Sequence, residues 1–307
     1  MSKISQGHCE HKHGHHHHEY NNKKSLLIVL FITAIYMVAE FLGGYFTNSL
    51  ALTADAGHML GDVGALGLSF FALWLASKKA PVEKTYGYYR AEIFAAFING
   101  ITLVFIALAI IYEAYYRITI AQKIDAVTMT IIAIGGLLVN IAGACVLRKG
   151  SKENLNVKGA FLHILGDLLG SIGAITAGIL VYGWHIYIAD PIVSIIIAIL
   201  VLYSSINITN SAVQILMESA PKHIDIQGVN DSICEVEGIL NVHDLHVWSI
   251  NSSSVSLSVH IVAELSDYER ILCEINRILK EKFNIHHSTI QIEPKDFHEN
   301  KCSLNLC

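Results

Sequence analysis

The sequence predicts an α-helical membrane protein, with a six-transmembrane-helix bundle followed by a C-terminal cytosolic α+β domain. Three observations lead there. The 307-residue chain is 53% hydrophobic and only 15% charged, with a mean hydropathy of +0.47, too apolar for an ordinary soluble protein. Six apolar segments reach the roughly 20 residues that a bilayer span needs. From Met217 onward the composition shifts to that of a small soluble domain, with Pro221 marking the break. The boundaries read as a disordered His-rich arm over 1–24, a membrane domain over 25–214, a soluble domain over 215–295 and a Cys-containing tail over 296–307.

The spans are Ser25–Phe46, Leu50–Ala76, Ala91–Tyr112, Ile124–Leu147, Val157–Tyr182 and Ile188–Val213. An even number puts both termini on one side. Lys23, Lys24, Lys78, Lys79, Lys84, Arg90, Arg148, Lys149, Lys152 and Lys158 fall on that side, against Arg117 and Lys123 on the other. By the positive-inside rule both ends are cytoplasmic. The net charge of −5, with no basic face carrying interleaved aromatics, argues against a nucleic-acid partner. The six cysteines are scattered, which is no secreted disulfide framework.

The arm from Gly7 to His18 is low-complexity, rich in His and joined by Cys9 and Glu10. It is expected to stay disordered until it meets a metal. Helix 1 carries Glu40 in an apolar run, where it either lines a path or pairs with a neighbour. Helix 2 carries Asp55 and the motif His58-Met59-Leu60-Gly61-Asp62, and helix 5 repeats it as His163-Ile164-Leu165-Gly166-Asp167. Four residues apart on a helix, a His and an Asp share one face. An Asp at the centre of a membrane helix costs about 2.5–3.5 kcal/mol, so two copies require compensation. If the helices face each other, His58, Asp62, His163 and Asp167 form a set of two nitrogens and two oxygens that suits tetrahedral zinc and cancels its charge. Glycines at close spacing in both helices allow the approach this requires. Asp55, three residues before His58, reads as a second carboxylate along the exit path or as a helix-packing residue.

The loop Ser77–Arg90 contains no His, Cys or Asp, and Tyr86-Gly87-Tyr88-Tyr89-Arg90 reads as an interfacial anchor. No metal site is expected there. Beyond Met217, Ile226–Val236 has a helical pattern, Val242–Ile250 and Val255–Ala263 alternate as strands, Tyr268–Phe283 is amphipathic and Thr289–Glu293 alternates again. Helix–strand–strand–helix–strand gives a ferredoxin-like, metallochaperone-like sandwich.

The chain resembles the cation diffusion facilitator family, most of all its bacterial proton-coupled zinc exporters. The resemblance is carried by Ser49 through Met59 with Asp62, by Tyr86-Gly87-Tyr88 before Arg90-Ala91-Glu92, by His163 with Asp167, and by His243-Asp244-Leu245-His246-Val247-Trp248. It covers nearly everything from helix 1 to Glu293. It implies a homodimer, a cytosolic dimerisation domain and metal exchanged for protons, with His58, Asp62, His163 and Asp167 as the transport site. It also implies regulatory zinc at His243, His260 and Glu293, with His246 structural or adjacent to that site. Vesicular zinc transporters of the family pair an N-terminal His-Cys with two C-terminal cysteines, which here corresponds to His8, Cys9, Cys302 and Cys307, although the gap between Cys302 and Cys307 is longer than usual.

The expected function is therefore export of Zn2+ from the cytosol across a bacterial inner membrane in exchange for protons, by alternating access. Export of Cd2+, Co2+ or a broader set of divalent cations is the alternative within the carrier class, and a metal-gated channel or sensor the alternative outside it. An enzyme is not expected: there is no His-Glu-x-x-His motif, and four protein ligands leave no open position on a metal.

Overall fold

The computed structural model describes residues 16–76, 78, 81–120, 122–147, 155–252, 254–263 and 268–295, and their side chains except those of 16–27, 65, 66, 69, 70, 72, 73, 76, 147 and 155–166. Six long helices come first: α1 (His16–Thr47), α2 (Leu50–Ala76), α3 (Arg90–Thr119), α4 (Ala126–Leu147), α5 (Leu155–Trp184) and α6 (Ala189–Leu216). They are followed by α7 (Ile226–Cys234), β1 (Ile239–Ser249), β2 (Val255–Ala263), α8 (Tyr268–Phe283) and β3 (His287–Glu293). Among the described residues Ile28–Thr47, Arg90–Thr119, Ala126–Val146, Asp167–Trp184 and Ala189–Leu216 are long and apolar enough to cross a membrane. The remaining long helix, α2, has side chains described only in part.

The order and type of element match the sequence expectation throughout, and the boundaries move furthest in α1 and α3. Helix α1 begins at His16, inside the stretch assigned to the arm. Gly14 is the last helix-weakening residue before the apolar run, and nothing between His16 and Lys24 halts a helix propagating back from it. Helix α3 runs to Thr119, past the expected Tyr112, and its last turns are held by an ion pair from Arg117 Nε to Glu113 Oε1 at 2.8 Å, one turn apart.

The chain falls into two compact units, one comprising 1–63 with 103–203 and the other 64–102 with 204–307. In the first, Leu50 and Ala54 of α2 pack with Leu103, Ala107 and Ile110 of α3 and with Ala198 and Val201 of α6. Ala51 and Leu52 pack with Met129 and Ala133 of α4 and with Ala174 and Ala177 of α5. Large apolar side chains such as Phe31, Phe105, Ile131 and Leu169 point outward, as expected where the surrounding solvent is lipid. The α1–α2 corner is pinned by polar bonds. Arg117 donates to the Asn48 carbonyl at 2.7 Å, and the buried Asp190 carboxylate accepts from Ser49 Oγ at 2.6 Å, Leu50 N at 2.8 Å and Ala51 N at 3.1 Å. Asp190 thus caps α2 from another helix, satisfying amides that a helix start leaves open.

In the second unit β1 pairs antiparallel with β2, and β2 pairs parallel with β3 through the α8 crossover. Val229 and Ile233 of α7 and Ile271, Ile275 and Leu279 of α8 cover one face of this sheet, meeting Leu257, Val259 and Ile261. The other face is left for polar side chains. The start of α3 is tied to this unit by Arg90 Nη2 to Glu218 Oε1 at 2.6 Å and by Ser252 Oγ donating to Glu92 Oε1 at 2.5 Å.

Candidate metal sites

Helices α2 and α5 bring part of the tetrad together. His58 Nε2 lies 3.2 Å from Asp167 Oδ1, and one ligand atom from each of His58, Asp62 and Asp167 lies within 4.8 Å of the others. His163 lies on α5 one turn before Asp167, and its side chain is outside the described residues. Asp167 is buried, and the side chain of His58 is 27% exposed. Two imidazoles and two carboxylates from two facing helices suit a divalent metal of borderline softness.

Asp55 lies on α2 one turn before His58, nearer the α1–α2 corner, and both it and Glu40 are sealed: Asp55 is 3% exposed and Glu40 0%. Asp55 packs against α5 at Gly170, where an added Cβ would sit 2.6 Å from Asp55 Oδ1. Only glycine admits that approach. Glu40 lies beside Asp55. Exposure therefore falls from His58 to Asp55 and Glu40.

The second cluster lies on the open face of the β-sheet. His243 and His260 are cross-strand partners, and Glu293 projects on the same side because it pairs with Val262, two residues from His260. His243 Nε2 is 3.1 Å from Glu293 Oε2 and His260 Nδ1 is 3.1 Å from Glu293 Oε1, and these three residues also converge within 4.8 Å. Glu293 is buried, and Gln291 Nε2 donates to its Oε1 at 2.8 Å. Three ligands leave one position for water or another donor.

Sequence reasoning missed Asp244 and Gln291 here. Asp244 reaches His246 Nε2 at 2.9 Å and His260 Nε2 at 3.6 Å. It sits in a bulge, with φ of 52° and a register shift between His243 and His246. Strand alternation alone puts His243 and His246 on opposite faces, but the bulge returns His246 to the face of His243. No motif in the sequence announces this. His8, Cys9, Cys302 and Cys307 lie outside the described residues.

The family model for the cation efflux transmembrane domain matches residues 26–217, and that for the cation efflux protein cytoplasmic domain matches residues 221–295. The chain belongs to the cation diffusion facilitator family. It is a multi-pass membrane transporter of divalent metal cations with a cytoplasmic C-terminal domain, and not an enzyme. It is 47% identical to a cadmium, cobalt and zinc/H(+)-K(+) antiporter of Bacillus subtilis, over 91% of this chain and 92% of that one. It is 39% identical to the zinc transporter ZitB of Escherichia coli, over 91% of this chain and 90% of that one. It also matches the solved metal-bound C-terminal domain of the CzcD transporter from Cupriavidus metallidurans at 36% identity, over 23% of this chain and 99% of that one, with a TM-score of 0.22.

Proposed function

We propose that this facilitator exports Zn2+ from the cytosol in exchange for protons, that His58, Asp62, His163 and Asp167 hold the ion in transit, and that the protein works as a homodimer. The observation that carries the reading is the convergence of His58, Asp62 and Asp167 from α2 and α5, with Asp167 buried. With both carboxylates ionised and both imidazoles neutral, the occupied site has no net charge, so the ion can be held in a low-dielectric bundle and still leave it. All four groups bind metal only when deprotonated. Protons arriving from the opposite side therefore compete the ion off and reset the carrier, and movement of the bundle between inward and outward access completes the cycle.

His243, His260 and Glu293 hold regulatory zinc in this reading, supported by their grouping on the sheet face opposite α7 and α8. Both termini are cytoplasmic and the membrane is a bacterial inner membrane, in keeping with the bacterial relatives. The names of these relatives include cadmium and cobalt as well as zinc, and an imidazole–carboxylate set accepts all three. The test is metal uptake into proteoliposomes driven by an opposing pH gradient, with each metal supplied in turn. Saturable zinc-for-proton exchange that Asp62→Ala and Asp167→Ala both abolish is expected. Robust exchange by either variant sinks the tetrad, and flux that neither saturates nor depends on the gradient indicates a channel.

A further inference from the structure

Glu40 is the one carboxylate among the described residues whose two oxygens are both buried without a hydrogen-bond partner. Leaving a carboxylate bare in a dry interior costs several kcal/mol, so something offsets it. The group it faces at hydrogen-bonding range is the carboxylate of Asp55, which is equally sealed. Two carboxylates can bond to each other only if one carries a proton, and like charges in contact are not both ionised.

Among the described residues the one basic side chain facing the pair is the His58 ring, on the side of Asp55. Glu40 is faced by Asp55 of α2, Asp167 of α5 and Tyr36 of its own helix, and Asp55 by Glu40, Asp167, and His58 and Asp62 of its own helix. The Tyr36 hydroxyl is spent on the Ile132 carbonyl of α4, and the His58 ring pairs with Asp167. No lysine or arginine pairs with either carboxylate among the described residues.

We propose that Glu40 and Asp55 form an acid pair that holds one proton on the outer side of the tetrad and serves as a proton-binding site of the exchange. This rests on the exchange reading above and names where its counter-ion binds. A divalent ion in the tetrad lies about one helical turn from Asp55, and its field favours the fully ionised pair. Zinc binding therefore breaks the shared O–H···O bond and releases the proton to water. Once zinc has left outward, the pair takes a proton from the outer medium and the bond reforms.

Two measurements on the full-length protein test this. In the first, the infrared carbonyl absorption of a protonated carboxyl group is followed in zinc-free protein at neutral pH. It is expected in the wild type, lost on zinc addition, and absent from Glu40→Gln, whose amide supplies Asp55 with a donor. In the second, calorimetric zinc titration in buffers of different ionisation enthalpy counts protons released. Glu40→Gln is expected to bind zinc at the tetrad with unchanged stoichiometry while releasing about one proton fewer per ion. An unchanged proton count in a variant that still binds zinc overturns the proposal. So does the absence of a protonated-carboxyl absorption from the zinc-free wild type, which requires no variant to fold. Both readouts are equilibrium properties, so they succeed or fail independently of the flux assay that tests exchange itself.

Discussion

Replacing Asp190 by alanine removes the acceptor for three donors at once, Ser49 Oγ, Leu50 N and Ala51 N, in a site with 0% exposure. The Ser49 hydroxyl, whose oxygen also accepts from Leu52 N at 3.3 Å, can rotate its hydrogen elsewhere, but the two amides cannot. Each buried donor left unsatisfied costs about 1–3 kcal/mol, so the loss is about 2–6 kcal/mol. At about 2–4 °C per kcal/mol for a domain of this size, the unfolding midpoint falls by roughly 4–24 °C. Asp190→Asn keeps one carbonyl acceptor and loses the charge that favours a helix start, so it belongs between alanine and wild type. The assay is thermal unfolding of the detergent-solubilised protein, followed by loss of the monodisperse peak on size exclusion. An alanine variant that unfolds within about 2 °C of wild type, the range of an indifferent surface substitution, refutes the claim that Asp190 anchors α2. So does an asparagine variant no better than alanine.

Two further outcomes follow from the packing and from the cytosolic cluster. Gly170→Ala places a methyl group 2.6 Å from Asp55 Oδ1, which costs about 1–3 kcal/mol in overpacking and pushes α2 from α5, so zinc affinity at the tetrad should fall; affinity equal to wild type by calorimetry counts against the close approach. With the tetrad disabled by Asp62→Ala and Asp167→Ala, His260→Ala should remove the zinc bound by the cytosolic domain. Gln291→Ala, which only orients Glu293 through its bond to Oε1, should weaken that zinc about 10–100-fold. Equal zinc content by elemental analysis before and after His260→Ala counts against this site.

The parts of the molecule legible in the sequence are those written in local periodicity. Apolar runs give the six helices, the repeated His-x-Leu-Gly-Asp gives two turns that present ligands on one face, and alternation with amphipathicity gives the order of the soluble domain. What stays hidden is set by residues far apart in sequence. Asp190 stands at the polar edge of α6, where an acidic residue reads as an interfacial or first-turn group; its role as a cap for α2 depends on Ser49 lying beside it. Asp244 comes to the face of His243 only through the bulge, because a strand period of two admits no extra residue.

Glu40 is the intermediate case, and it shows where reading the sequence stops. A glutamate in an apolar helix demands compensation, and the sequence alone supports either a path or a neighbour. In the structure α5 has no side chain at Gly170, so Asp55 lies against its backbone, with Glu40 beside it and both of them buried. A lone acid with a water-filled route beside it exchanges protons freely and couples nothing. A sealed pair holds its proton until the helices around it move or a divalent charge arrives nearby, and exchange without leakage needs that dependence. The glycine that lets α2 approach α5 is thus part of the proton chemistry as well as of the packing.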